Sequence, residues 1–174
     1  MLSPARCNGL RASQLARRLR DDTTTIGEAF AWLSALYFRG KLTYARAFAP
    51  KRTFVMAPGL GLVPPSHPIC GDDLRAMGEV AIESEAFVAP LRRDARKLRA
   101  PRVVLLGSIA SGKYTETLLD VWGERLLFPS TFVGRGDMSR GGLLLRAAKA
   151  GEELAYAPVH GATLHGKRPP RLPR

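Results

Sequence analysis

The segment Gly107-Ser108-Ile109-Ala110-Ser111-Gly112-Lys113-Tyr114 satisfies the pattern G-x-x-x-x-G-K, between a run of apolar residues and a predicted helix. In a phosphate loop the backbone N–H groups of such a turn cradle phosphate oxygens, the helix start adds its positive end, and the lysine pairs with the outer phosphates. Gly107, Ser108, Gly112 and Lys113 are the residues that would do this here. Three features oppose a nucleoside-triphosphatase. Tyr114 stands where a small Ser or Thr hydroxyl holds magnesium. The apolar run Leu126-Leu127-Phe128 leads into Pro129 instead of an aspartate, and only 174 − 114 = 60 residues follow Tyr114. A more general chemistry survives, because a turn of small residues before a lysine at a helix start can accept a phosphate or another anion. The plain alternative is a tight turn with Lys113 in solvent.

A second glycine-rich loop follows the next strand, with Gly134, Gly136, Gly141 and Gly142 allowing close backbone approach and Arg135 and Arg140 offering planar forks for phosphate or carboxylate. The triplet Arg135-Gly136-Asp137 also spells a cell-adhesion tripeptide, which is read as coincidence. Tyr37, Arg39 and Lys41 sit together at an expected helix end, where a tyrosine can stack on a base and two cations can meet phosphate. The alternative is a core tyrosine with two solvated cations. Gly59 and Gly61 mark a third turn, after a short apolar run.

Other chemistries have less to stand on. His67, His160 and His165 lack neighbouring ligands for a zinc site. Ser108 and Ser111 lack the G-x-S-x-G elbow of an acyl-transfer hydrolase. Cys7 and Cys70 are too few for a disulfide framework and lack the electropositive helix-start setting of a nucleophile. Glu83 and Glu85 are two residues apart and read as solvated charges. No cofactor and no metal is expected.

These loops need elements to hold them. Residues 26–36 read as a buried helix, Gly40 as a bend, and residues 42–49 as a further helical segment stopped by Pro50. Thr53 to Ala57 is a predicted strand, followed by the loop 58–65. Asp72 or Asp73 is the expected N-cap of a helix reaching Val88, with Pro90 in the first turn of a second, strongly basic helix. Val103 to Leu106, four consecutive apolar residues, reads as a strand covered on both faces. A helix over about 113–122, a strand over about 125–128 and a helix over about 139–150 complete the pattern. Alternating strands and helices predict a single three-layer α/β domain with a mostly parallel central sheet. Residues 1–22 and 159–174 are basic extensions around a domain at 23–158.

Four segments form an ordered set: Leu36-Tyr37-Phe38-Arg39-Gly40-Lys41-Leu42, Gly59-Leu60-Gly61-Leu62-Val63, Leu105-Leu106-Gly107 with Lys113-Tyr114, and Phe128-Pro129 with the loop 134–142. Over roughly 35–144 the set resembles an uncharacterised bacterial family distantly similar to the α/β folds of uracil-DNA glycosylases. That resemblance implies a ligand at the carboxyl ends of the strands and contact with nucleobases or nucleic-acid phosphates. The chain departs from glycosylases where their chemistry lies. No G-Q-D-P-Y-like first loop is present, and Pro58-Gly59-Leu60-Gly61 offers no general base.

The composition fits a polyanion partner. Lys and Arg number 27 against 15 Asp and Glu, a net charge of 27 − 15 = +12. The excess is concentrated in residues 6–20, 92–102 and 167–174, where it suits the backbone of a long polyanion without reading its sequence. Hydrophobic residues make up 45%, enough for a folded core, and no run is long enough to span a bilayer. The reading is a soluble cytoplasmic protein that binds nucleic acid or a nucleotide-like anion in a strand-end crevice, with base or nucleotide processing as an extension. The alternatives are a small-molecule enzyme acting on a phosphorylated or carboxylated metabolite, and a non-catalytic subunit of a complex. The oligomeric state is left open.

Overall fold

The computed structural model describes residues 10–21, 24–109, 112–163, 166 and 169–170. The chain begins with helix α1 (Leu10–Arg20), then strand β1 (Thr24–Thr25), α2 (Ile26–Leu33) and α3 (Ala35–Phe48). Next come β2 (Val55–Ala57), β3 (Gly61–Val63), β4 (Pro68–Ile69), α4 (Gly71–Glu79) and α5 (Glu85–Lys97). The remainder is β5 (Val103–Val104), α6 (Gly112–Trp122), β6 (Leu126–Pro129), α7 (Asp137–Ala150) and β7 (Tyr156–Pro158). The fold is a mixture of helices and short strands in which helix predominates.

Two cores hold it together. The larger joins Tyr44 of α3, Phe87 and Leu91 of α5, Leu118 and Trp122 of α6, Leu126 and Phe128 of β6, and Leu144 of α7. The smaller gathers Ile26 and Ala29 of α2, Val55 and Ala57 of β2, Ile69 of β4 and Met77 of α4. Helix α1 leans on this second core through Leu19, and Arg18 reaches both carboxylate oxygens of Glu28 at 2.9 and 3.0 Å. Glu28 also closes a capping box at the start of α2: its carboxylate accepts from Thr25 N–H at 3.0 Å, and Thr25 Oγ1 accepts from Glu28 N–H at 3.4 Å.

The mostly parallel central sheet expected from the element order is not the pairing found. β5 and β6 are parallel, with Val103 opposite Leu126, but β6–β7, β2–β3 and β1–β4 are antiparallel. Only three residues separate β2 from β3. A parallel crossover needs a dozen or more, so these two strands close as a hairpin. Strand β7 lies at the end of the expected domain, in a stretch where the sequence predicts no element after the helix over about 139–150.

Helix boundaries differ in informative ways. The bend falls at Ser34–Ala35, where Ala35 has φ of 50°, and α3 runs straight through Gly40. The N-cap of α4 is Cys70 in place of Asp72 or Asp73. Its sulfur accepts from Asp73 N–H at 3.5 Å while the Asp73 carboxylate accepts from Cys70 N–H at 2.8 Å. Pro90 lies inside α5, well past its first turn. The second glycine-rich loop ends early, because α7 begins at Asp137 and takes Gly141 and Gly142 into the helix.

Candidate anion-binding site at the crossing of α3 and α7

Gly141 explains why α3 and α7 pack so closely. A β-carbon on Gly40 would lie 2.6 Å from the Gly141 carbonyl oxygen, and one on Gly141 would lie 2.8 Å from Leu36 O and 2.9 Å from Tyr37 Cα. These neighbours are backbone and cannot swing aside, so the two helices meet main chain to main chain only because both positions are glycine. On α3, Tyr37, Gly40, Lys41 and Tyr44 follow the i, i+3, i+4, i+7 spacing that lines one helix face. The glycine contact therefore delivers Tyr37 and Lys41 to the first turn of α7, which carries Asp137 and Arg140.

The side chains there form one connected cluster. Tyr37 donates its hydroxyl to the Leu106 carbonyl, two residues past the end of β5, at 3.2 Å, and its ring meets Phe132 edge-on with centroids 6.5 Å apart. Lys41 Nζ stands 3.9 Å from the centroid of the Tyr37 ring, a cation–π contact. Arg140 is only 11% exposed. Its Nε and Nη2 both donate to the Phe132 carbonyl at 3.3 and 3.2 Å, and its Nη1 lies 3.6 Å from Asp137 Oδ1. Tyr114 closes the cluster from α6, donating to the Ser108 carbonyl at 2.7 Å.

Burial sets the electrostatics. Desolvation lowers the Lys41 amine to about 8, the Arg140 charge pushes the same way, and Asp137 opposes them. Burial raises the Tyr37 phenol, with Arg140 partly offsetting it, and burial likewise raises Tyr114. Both phenols are thus neutral donors at physiological pH. Lys41 and Arg140 share one carboxylate, so the cluster is short of negative charge.

The residues singled out in the sequence divide between this site and elsewhere. Tyr37, Lys41 and Arg140 converge. Gly107 lies beside them, since a β-carbon there would sit 2.6 Å from the Tyr114 hydroxyl. At Leu106 and Ser108 the turn offers carbonyls to the two phenols, the opposite polarity to an N–H cradle. Gly112 starts α6, where the Glu116 carboxylate folds back against it, 2.5 Å from a β-carbon placed on Gly112. Lys113 lies in the first turn of α6, and its side chain is outside the described residues.

Arg39 is exposed on another face of α3. Arg135 folds back over its own turn, donating to Thr131 O at 3.0 Å, Ser139 Oγ at 3.3 Å and Pro170 O at 3.3 Å. Gly134 takes φ of 72° in that turn. Gly59 and Gly61, at φ of 79° and 89°, shape the β2–β3 hairpin. Gly61 packs against Asp94 and Pro90 of α5 there, and Asp94 accepts from Leu62 N–H at 3.2 Å. Asp137, Tyr114 and Phe132 are the participants that sequence reasoning missed. Tyr114 carried a signal, as a phenol following a glycine-lysine turn, but its partner was its own loop.

Among the described residues no group of three His, Cys, Asp or Glu is placed to hold a metal ion, and no helix is long and apolar enough to cross a membrane. Comparison with family models, with curated proteins and with solved structures finds no match.

Proposed function

We propose that the protein binds a phosphate-bearing, nucleotide-like anion, free or within nucleic acid, where α3 crosses α7 beside the end of β5. The observation carrying this reading is that Lys41 and Arg140 are brought together, partly removed from water, with Asp137 as their single nearby carboxylate among the described residues. An incoming anion supplies the missing negative charge in a setting where electrostatic attraction is strong. Tyr37 and Tyr114 flank the two cations, so an aromatic base has rings beside the charge. The segments that resemble the glycosylase-like family support the same place: Tyr37, the Leu105-Leu106-Gly107 strand end, Tyr114 and the start of α7 all contribute.

Thermal denaturation with a panel of mononucleotides, pyrophosphate and a short oligonucleotide tests the proposal. At least one ligand should raise the melting temperature, by the equivalent of about 2.7 kcal/mol at a hundred times its Kd. Lys41→Met should lose that response. If no phosphate compound stabilises the chain, or if Lys41→Met responds like the parent, the reading fails.

A second reading, an enzyme acting on a phosphorylated or carboxylated metabolite, is favoured by one observation. An amine lowered to about 8 is partly neutral near pH 7.5 and suited to proton transfer. Its signature is turnover that rises with pH through about 8 and disappears in Lys41→Arg.

A further inference from the structure

Away from the α3–α7 crossing, α5 and α6 enclose a cavity of about 350 Å³. Arg96, Arg99 and Arg125 line it with Trp122 and, among the described residues, a single acid, Asp120. Arg96 and Arg99 are exposed and make no hydrogen bond or ion pair with the described residues. Arg92 follows the same helical face one turn earlier, with Nη2 3.9 Å from Asp120 Oδ2. Arg125 is held in place by the carbonyls of Ala100 and Val121, at 3.3 and 3.4 Å. Trp122 is 5% exposed, and its indole N–H has no acceptor among the described residues. Buried donors are rarely left in that condition.

We infer that this groove is a second phosphate-binding site, in which Arg96 and Arg99 grip phosphate oxygens over the Trp122 floor and Arg125 backs them from the facing wall. Guanidinium forks match phosphate geometry and are weakly hydrated, so they release water readily on contact. Four guanidinium groups against one carboxylate leave the groove strongly positive. Arg92 and Arg96 stand one turn apart on α5, about 6 Å along its axis at 1.5 Å per residue, and Arg99 follows in the segment just beyond the helix, so the cations extend farther than one phosphate requires. A row of this kind suits successive phosphodiesters of a polynucleotide strand better than a single free nucleotide, although the recognition chemistry is shared.

The test uses the full chain carrying Trp32→Phe, which leaves Trp122 as the only tryptophan. Its emission is followed while a 12-nucleotide single strand, a mononucleotide or pyrophosphate is added at low salt. In parallel, the anisotropy of a labelled strand reports affinity. Binding of the strand should change the Trp122 emission. Arg96→Gln with Arg99→Gln should weaken binding at least tenfold and reduce the slope of log K against log salt by about 1.4, two phosphate contacts at 0.7 each. An emission change with the mononucleotide or pyrophosphate at similar concentration, with no advantage for the strand, keeps the phosphate site and assigns it to free nucleotides.

Lys41→Met should leave the groove response intact, which separates this site from the one at the helix crossing. The inference is overturned if the double variant binds every probe like the parent, or if Lys41→Met alone abolishes the Trp122 response. Circular dichroism and an unchanged melting temperature establish that the double variant folds.

Discussion

The two cationic regions of this protein use the same residue types in opposite ways. At the α3–α7 crossing, Lys41 and Arg140 are half-buried, engaged with a tyrosine ring and a carbonyl, and fixed by the approach of two backbones. At the end of α5 and just beyond it, Arg96 and Arg99 stand in solvent without a hydrogen bond or ion pair to the described residues. Desolvated charge is costly to maintain and selective in what relieves it. Solvated charge costs the fold little, and its attraction is weakened by salt. A net charge of +12 therefore describes two kinds of surface that ought to respond differently to mutation, pH and ionic strength.

The largest effect is expected at the glycine contact. Gly40→Ala places a methyl group against main chain and should cost about 3 kcal/mol. For a chain of this size that lowers the melting temperature by about 6–12 °C. Nucleotide binding at the crossing should be lost with it, whereas a similar change at an exposed arginine of α5 should leave the melting temperature unmoved.

Lys41→Met sharpens the contrast because stability and binding should move in opposite directions. Removing a desolvated ammonium should stabilise the fold by about 1–3 kcal/mol near pH 7, since each pKa unit is worth about 1.4 kcal/mol. Binding should fall at least tenfold. The parent chain should show the matching pH dependence. The folded amine titrates near 8 and the unfolded one near 10.5, so between these values the unfolded state holds more protons and stability rises with pH. Below about 8 both states are protonated and the penalty is constant. Approaching pH 10 the phenols pull the other way, because burial keeps Tyr37 and Tyr114 protonated after their unfolded counterparts ionise. Denaturant melts of parent and variant from pH 7 to pH 9.5 would expose the difference, and parallel curves would break the comparison.

Arg140→Lys keeps the charge but loses the double donation to the Phe132 carbonyl, and should destabilise by about 1–2 kcal/mol. The smallest effect belongs to Arg39→Ala. That side chain is exposed and off the site face, so stability should stay within about 0.5 kcal/mol and nucleotide binding should be unchanged. A clear loss of binding in Arg39→Ala would mean that the site extends around α3.

How far the site was legible follows from these same residues. Local pattern placed α6 and β6 within a residue or two and singled out Tyr37, Lys41 and Arg140, which the fold brings together. The site face escaped because Gly40 reads as a bend. Glycine weakens a helix, and its reason for being there is Gly141, a hundred residues away. Read as one helix, residues 35–48 put Lys41 beside Tyr37 and Arg39 elsewhere. The break at Ser34–Ala35 has no glycine or proline to announce it. The parallel sheet was expected from alternating elements, but strand pairing is a non-local choice. The short turn after β2 and the return of the chain at β7 decided it.

The glycine crossing also bears on kinetics. Because main chain meets main chain at Gly40 and Gly141, the separation between the strands of chain that carry Lys41 and Arg140 is set by the backbone and has little room to open. A ligand entering there can be accommodated by turning side chains, without a hinge or lid. Association should then be a single phase whose rate grows linearly with ligand concentration and does not level off at the speed of a conformational step.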